Sequence, residues 1–494
     1  MHISSLSPQA EISPVELDRG LRMLLVDGVS SQIMGVVTGG AFLVAFALIL
    51  GATPFQVGLI AALAPFSQVV QIPAIFLIRR VRQRKLVAVT CSLISRMFWF
   101  IAAALPWIVP AEATSKILFF CLLTYFCFGT IAALSYHSWM RDLIPENRRG
   151  VHSANRTIIS VIAGSIFGMA AAYGVDSLKP HFDEIHIYSL LFFCGGVLGL
   201  SGVWALSRVP EPEMVPLSHH SWIETLRTPF RDQNFRQLLF FLGSWNFAVN
   251  LAAPFFTVYM LNRLQLSMTL IFSLSVLSQI ANVLFARIWG ALADRFSNRS
   301  VLMESGPILI ITMLIWPFTS MPENYLLTIP LLITIHILSG ISSAGVNISS
   351  SNIALKLAPK GESTQYLAVR SMVSGLAAMF GPLVGGGLAT LMMDQSLTLT
   401  LELKKGGEIL LMLPTVNISG LDFLFILSFL LGSYALHRLI TVHEEGTVEQ
   451  DVVRDMFQFE VRKYARNLSN IAGLRNLFYF PYAVLMKTNI PKNN

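Results

Sequence analysis

The feature that most limits this chain is a succession of apolar stretches, each about as long as a bilayer is thick. A helix crossing the hydrocarbon core needs about 20 consecutive, mostly apolar residues. Twelve such stretches lie at roughly 31–50, 55–78, 86–108, 115–138, 157–177, 187–207, 236–260, 267–289, 300–318, 325–347, 370–393 and 420–439. Glycine and proline occur freely inside them, which lipid-embedded helices tolerate. Of 494 residues, 54% are hydrophobic and 13% charged, where a soluble domain carries about 25% charged residues. The chain therefore reads as an all-α membrane protein.

The net charge of +7 and pI near 9.3 do not describe a phosphate-binding face, because the basic residues lie in short loops between apolar segments. Arg79, Arg80, Arg82, Arg84 and Lys85 follow the second span, and Arg141, Arg148, Arg149 and Arg156 follow the fourth. Arg208, Arg227, Arg231 and Arg236 fall in the central linker, whereas the alternate loops hold few basic residues: Lys116, Lys179, Arg263, Lys404 and Lys405. By the positive-inside rule both termini are cytoplasmic, and the location is the inner (plasma) membrane. The polar N-terminus with Glu11, Glu16 and Asp18 is not a cleavable signal peptide. Cys91, Cys121, Cys127 and Cys194 all lie in apolar segments, with neither disulfide nor metal spacing.

The chain repeats itself. Residues 78–85, Ile-Arg-Arg-Val-Arg-Gln-Arg-Lys, align with 293–300, Ala-Asp-Arg-Phe-Ser-Asn-Arg-Ser, at an offset of 215. Leu143, Pro145 and Arg156 align with Leu357, Pro359 and Arg370 at an offset of 214. Two parallel halves follow, related by an axis along the membrane normal. The expected organisation is a six-helix half at 1–207, a cytoplasmic linker at 208–235, a second half at 236–440 and a tail at 441–494. In the linker Trp222, Ile223, Leu226 and Phe230 have helical spacing, so it is either an interfacial helix or a flexible connector. In the tail Arg462, Lys463, Arg466 and Arg475 interleave with Leu468, Ile471, Leu474, Leu477 and Phe478, a basic amphipathic pattern suited to the inner membrane surface or to a partner.

Between spans eight and nine runs Gly290-Ala-Leu-Ala-Asp294-Arg295-Phe-Ser-Asn-Arg299. Its spacing of glycine, Asp-Arg and a later basic residue resembles the signature loop of the major facilitator superfamily, of bacterial type. With the repeat, the resemblance covers about 31–440. It implies twelve transmembrane helices in two pseudo-symmetric halves, with the first and fourth helix of each half lining a central cavity. It also implies that Asp294 latches one half to the other near Arg156, while Arg79 faces Arg370 without attraction. The gating set is thus Gly290, Asp294, Arg295, Arg299, Arg156 and Arg370.

Ionisable and polar residues inside the apolar zone are candidates for solute contact, because burying them is costly. Arg96 lies near mid-depth of span three with no carboxylate nearby in sequence; it either holds an anionic solute group or bonds neighbouring helices. Arg287, a turn from the end of span eight, snorkels. The other candidates are Gln68, Gln71, His137, Trp245, Asn246, Asn250, Gln279, Asn282 and His336, each of which could equally be interhelical glue. No carboxylate falls clearly at mid-membrane: Asp27 precedes the first span, Glu304 lies a turn into the ninth and Asp422 begins the twelfth. Proton-coupled members of the family place a buried acid near the site, so this absence speaks against proton coupling, while His336 keeps it open. The glycines around Pro382 read as close helix packing.

The expected function is secondary active or facilitated transport of a small solute by alternating access. The rival is a non-transporting membrane sensor or scaffold built on the same fold. Neither an HExxH, a GxSxG nor a P-loop is present, so no enzyme activity is expected. The partners are a small-molecule solute, the lipid bilayer and a coupling ion, proton or sodium. No cofactor, metal or nucleic acid is expected, and the chain reads as a monomer.

Overall fold

A computed structural model describes residues 8–9, 11–214, 222–320, 327–359, 362–405 and 408–469. Eleven helices among them are long and apolar enough to cross a bilayer, and a shorter apolar helix, Pro54–Val70, begins the remaining span. The spans of the first half are α1 (Pro14–Thr38) continued by α2 (Gly40–Ile49), α3 (Pro54–Ser67) continued by α4 (Gln71–Val81), α5 (Arg84–Ile108), α6 (Ala111–Leu143), α7 (Glu146–Leu178) and α8 (Glu184–Leu206). After α9 (Trp222–Arg231), the second half holds α10 (Gln233–Val258), α11 (Met268–Arg295), α12 (Asn298–Ile315), α13 (Thr328–Leu357), α14 (Ser363–Met392) and α15 (Leu421–Leu439). A tail helix, α16, covers Gln450–Ser469.

The first span begins well before residue 31, which corrects the sequence reading. The Ser13 hydroxyl accepts from the Glu16 backbone N–H and the Glu16 carboxylate accepts from the Ser13 backbone N–H, a capping box with Pro14 in the first turn. That cap starts the helix among polar residues, where a hydropathy window averages them away. The second span carries a short 3-10 turn at Gln68–Val70 between α3 and α4, next to Pro65 and Pro73.

Each half has its own core. In the first, Phe46, Trp99 and Phe192 pack together; in the second, Phe241, Trp245 and Leu309 do. A further cluster joins Val57 of the first half to Leu251, Phe255 and Tyr259 of the second. Isoleucines and valines such as Ile162, Ile166 and Val283 stay exposed along the helix sides, as expected where the surrounding solvent is lipid.

The halves also share a fastening at their basic loops. Glu211, just past α8, is buried and accepts from the Arg84 backbone N–H at 2.6 Å, at the start of α5. Glu444, just past α15, is buried and accepts from the backbone N–H groups of Asn298 and Arg299 at 3.2 and 2.7 Å, at the start of α12. In both, a carboxylate from the end of a half satisfies orphan donors of that half's third helix and meets the positive end of its dipole. Arg84 is further held by Asp142 of α6.

Helix α9 lies beside α10 and α14, which favours the helical reading of the linker, and Asp232 then caps α10 through the N–H groups of Asn234 and Phe235. The tail helix docks onto the second half: Phe457 stacks on Trp289 at 4.3 Å and Arg454 pairs with Glu304 at 3.2 Å. The tail beyond residue 469 lies outside the described residues.

The loop that holds Lys404 and Lys405 is an antiparallel hairpin of β1 (Ser396–Lys405) and β2 (Glu408–Ser419). Leucine alternating with Thr or Glu along 397–403 is a period of two, which the helix-length windows passed over.

Candidate solute-binding site

Helices α1, α3, α5, α6 and α7 enclose a cavity of about 380 Å³ in the first half, lined by Ser31, Ser67, Gln68, Ser92, Ser95 and Tyr136 together with Asp27, Arg96 and Arg156. Its centre is one carboxylate between two guanidinium groups. Asp27 is buried on α1 and its Oδ1 lies 3.3 Å from Arg96 Nη2, while its Oδ2 lies 3.4 Å from Arg156 Nη2. This corrects one expectation, since a carboxylate does sit inside a span. Arg96, with no acid nearby in sequence, takes its acidic partner from α1, 69 positions away in the chain.

The two arginines are held differently. Arg96 also donates to Ser31 Oγ at 2.7 Å and to the Gly199 carbonyl of α8, and its side chain is only 9% exposed. Its donors are spent on tying α1, α5 and α8 together. Arg156 is 28% exposed; it donates to the Leu24 carbonyl at 3.2 Å and lies 5.2 Å from the Tyr136 ring centroid. It reaches this position because residue 28 is glycine: a Cβ there would stand 2.6 Å from Arg156 Nε. The contacts to Asp27 are at the long end of hydrogen bonding. One negative and two positive groups leave the site with an excess positive charge in a medium that screens charge poorly.

Of the other sequence candidates, Gln68 alone lines this cavity. It bonds Gln71, and His137 is exposed beside the Tyr136 ring. Trp245 belongs to the second-half core. Asn246 and Asn250 each donate to a carbonyl one turn back on their own helix, at 2.8 Å. Asn282 bonds Ser343, and His336 Nδ1 lies 2.8 Å from the Leu332 carbonyl. Arg287 is exposed. The structure thus gathers Gln68, Arg96 and Arg156 around Asp27. The signal that could have found Asp27 is the capping box, which puts that residue well inside a helix.

The halves meet at one end. Gly58 of α3 lies against α14, where an added Cβ would stand 2.2 Å from the Pro382 carbonyl oxygen, so the glycines around Pro382 do serve close packing. Asp176, near the end of α7, accepts from the backbone N–H groups of Met268 and Thr269 at 3.0 and 2.7 Å, at the start of α11. Farther along, Gln279 accepts from Ser165 at 3.3 Å. At the basic-loop end, no ion pair or hydrogen bond among the described residues joins the halves. Asp294 is exposed and unpaired there, and a Cβ on Gly290 would meet nothing within 4 Å. Arg295 contacts Met456 Sδ, Arg299 donates to the Leu439 and Ile440 carbonyls and Arg370 donates to Ser351 Oγ at 3.4 Å. The side chain of Arg79 is outside the described residues. The described hydrogen bonds between the halves lie toward the other end, which leaves the basic-loop end unfastened among the described residues.

The family model of the Major Facilitator Superfamily matches residues 28–382. No curated protein matches the chain in sequence. Among solved structures, the nucleoside transporter NupG superposes with a TM-score of 0.60 at 16% identity, over 89% of this chain and 99% of that one. A bacterial homologue of the iron transporter ferroportin, in its inward-facing state, gives 0.57 at 13%, over 87% and 99%. A bacterial homologue of the lysosomal transporter Spinster, inward-facing and unoccupied, gives 0.54 at 12%, over 92% and 99%. At these identities the likeness is one of fold. Two six-helix halves that meet at one end, a charged cavity inside the first of them, and a family match over most of the chain lead to one conclusion: this chain belongs to the major facilitator superfamily of membrane transporters.

Proposed function

We propose that the chain carries a small anionic solute, with Arg156 as the solute's cationic contact and Asp27 as the internal group it displaces. The observation that supports this is the shared carboxylate: Asp27 is held from one side by the buried Arg96 and from the other by Arg156, which faces the cavity. An incoming carboxylate or phosphate group takes the Arg156 guanidinium in bidentate fashion. Asp27 then keeps Arg96 alone, and a proton taken up by the displaced carboxyl would couple solute and proton in the same direction. The basic loops face the cytoplasm, as do both termini, so the unfastened end is the cytoplasmic one. The halves at 1–207 and 236–440 rock about the site.

A thermal-shift screen on purified protein tests the reading. Organic anions raise the melting temperature, by about 2.7 kcal/mol of stabilisation at a hundredfold excess over Kd, and their uncharged analogues do not. Arg156→Gln removes the effect. A screen in which only neutral or cationic solutes stabilise the protein overturns the anionic assignment, and flux of the hit into proteoliposomes separates transport from mere binding.

A further inference from the structure

The β1–β2 hairpin has one almost wholly aliphatic face. In β1, leucine occupies positions 397, 399, 401 and 403, alternating with Thr398, Thr400, Glu402 and Lys404. The register sets Ile418, Val416, Leu413 and Leu411 opposite the four leucines, in that order. Cross-strand partners share a face, so eight aliphatic positions fall on one side. The other side pairs Thr398 with Asn417 and Thr400 with Pro414. Leu397 and Leu399 are 60% and 64% exposed, far too open for a face of that composition standing in water.

We infer that this face lies on the membrane surface, in the leaflet at the end opposite the basic loops. Both legs are rooted at that boundary: α14 ends at Met392 and β1 begins at Ser396, while β2 ends at Ser419 and α15 begins at Leu421. Beside this base, Leu391 in the last turn of α14 and Met393 just past it are 73% and 57% exposed. The base is pinned. Arg263 donates to Ser419 Oγ and lies 3.8 Å from Asp422, which accepts from the Ser419 N–H at 3.0 Å. The depth is limited by the backbone, since a two-stranded hairpin has two unpaired edges and unpaired N–H and C=O groups are not tolerated in hydrocarbon. The hairpin therefore rests among headgroups and upper acyl chains, apolar face down and Thr398, Thr400 and Asn417 up, as an interfacial amphipathic helix does. Its charges, Glu402, Glu408, Lys404 and Lys405, cancel, so the attachment is apolar and indifferent to lipid charge.

The test uses the full chain with its four cysteines replaced, labelled with an environment-sensitive fluorophore at Leu399→Cys, Leu397→Cys or Thr398→Cys, in lipid nanodiscs. In phosphatidylcholine, labels at 399 and 397 emit to the blue of the label at 398. Lipids carrying a nitroxide on the upper acyl chain quench them several-fold more strongly, and aqueous iodide quenches them less. Adding phosphatidylglycerol leaves the pattern unchanged. Equal iodide quenching at 398 and 399 overturns the inference by placing the hairpin in water. Shielding of 399 from both quenchers, with disulfide cross-linking between copies, overturns it in favour of a second copy of the chain.

Discussion

Asp176 on α7 holds Thr269 at the start of α11, its Oδ2 accepting the Thr269 backbone N–H at 2.7 Å across the boundary between the two halves. From there α7 and α11 run antiparallel, since Ser165 meets Gln279 farther along. Continued at that register, the pairing sets Asp294, near the end of α11, opposite Gly150 in the second turn of α7. Each of these helices thus carries an acid near its C-terminal end and offers a positive N-terminus to the other. One contact is made and the other open. Asp294 as the second latch is a proposal that rests on this geometry, and it moves the expected partner from Arg156 toward the N–H groups at the start of α7.

Removing the closed latch shifts the balance of states. Asp176→Ala loses two backbone-to-carboxylate hydrogen bonds and a charge at a helix N-terminus, together about 1–2 kcal/mol, which is roughly five- to thirtyfold in a two-state ratio. Spin labels on the hairpin end of the two halves should move apart. An unchanged distance distribution removes Asp176 from the gate.

The open latch predicts the opposite. Cysteines at Asp294 and Gly150 should cross-link only when the basic-loop end closes, and Asp294→Asn should enrich the form seen here. Arg79→Ala should do neither. Cross-linking with no dependence on conformation would count against alternation at this pair.

The charged centre separates stability from transport. Asp27→Asn leaves Arg96 buried without its acid, and breaking a buried pair from one side costs about 3–5 kcal/mol. Arg96→Gln should lower the melting temperature likewise, and the double variant should recover part of the loss. Arg156→Lys should instead weaken solute affinity with a small effect on stability, because a point ammonium cannot replace the planar fork. If Arg96→Gln were as stable as wild type and failed to bind solute, the roles given to the two arginines would be reversed.

The two carboxylate caps should behave alike. Glu211→Ala and Glu444→Ala each strand buried N–H groups of a third helix, a loss of about 1–3 kcal/mol, read as a lower melting temperature. Glutamine keeps one acceptor and should lose less. A harmless Glu444→Ala would show that water accepts from the freed N–H groups in place of the carboxylate.

Topology is tested by reporter fusions. Reporters after Arg84 and after Arg299 should lie on one side, and a reporter near Lys404 on the other; finding all three together would overturn the alternation of spans.

The spans, the two-fold repeat and the signature loop were legible in the sequence because lipid imposes one local rule: a crossing segment must be apolar over its full length, and basic residues must stay at its ends. What that rule cannot carry is pairing. Asp27 reads as a residue before a span until the Ser13 cap extends the helix around it, and its partners come from α5 and α7, far along the chain. Glu211 and Glu444 lie outside the apolar stretches, yet each closes the third helix of its half, and the hairpin pattern is legible only at a period of two. Which end fastens the halves is decided by tertiary contact alone: Asp176 meets the start of α11 while Asp294 has no partner among the described residues, although each acid stands near the C-terminal end of its helix. Hydropathy is a property of a segment and survives in one dimension; an ion pair or a helix cap exists only when packing brings distant residues within a few ångströms.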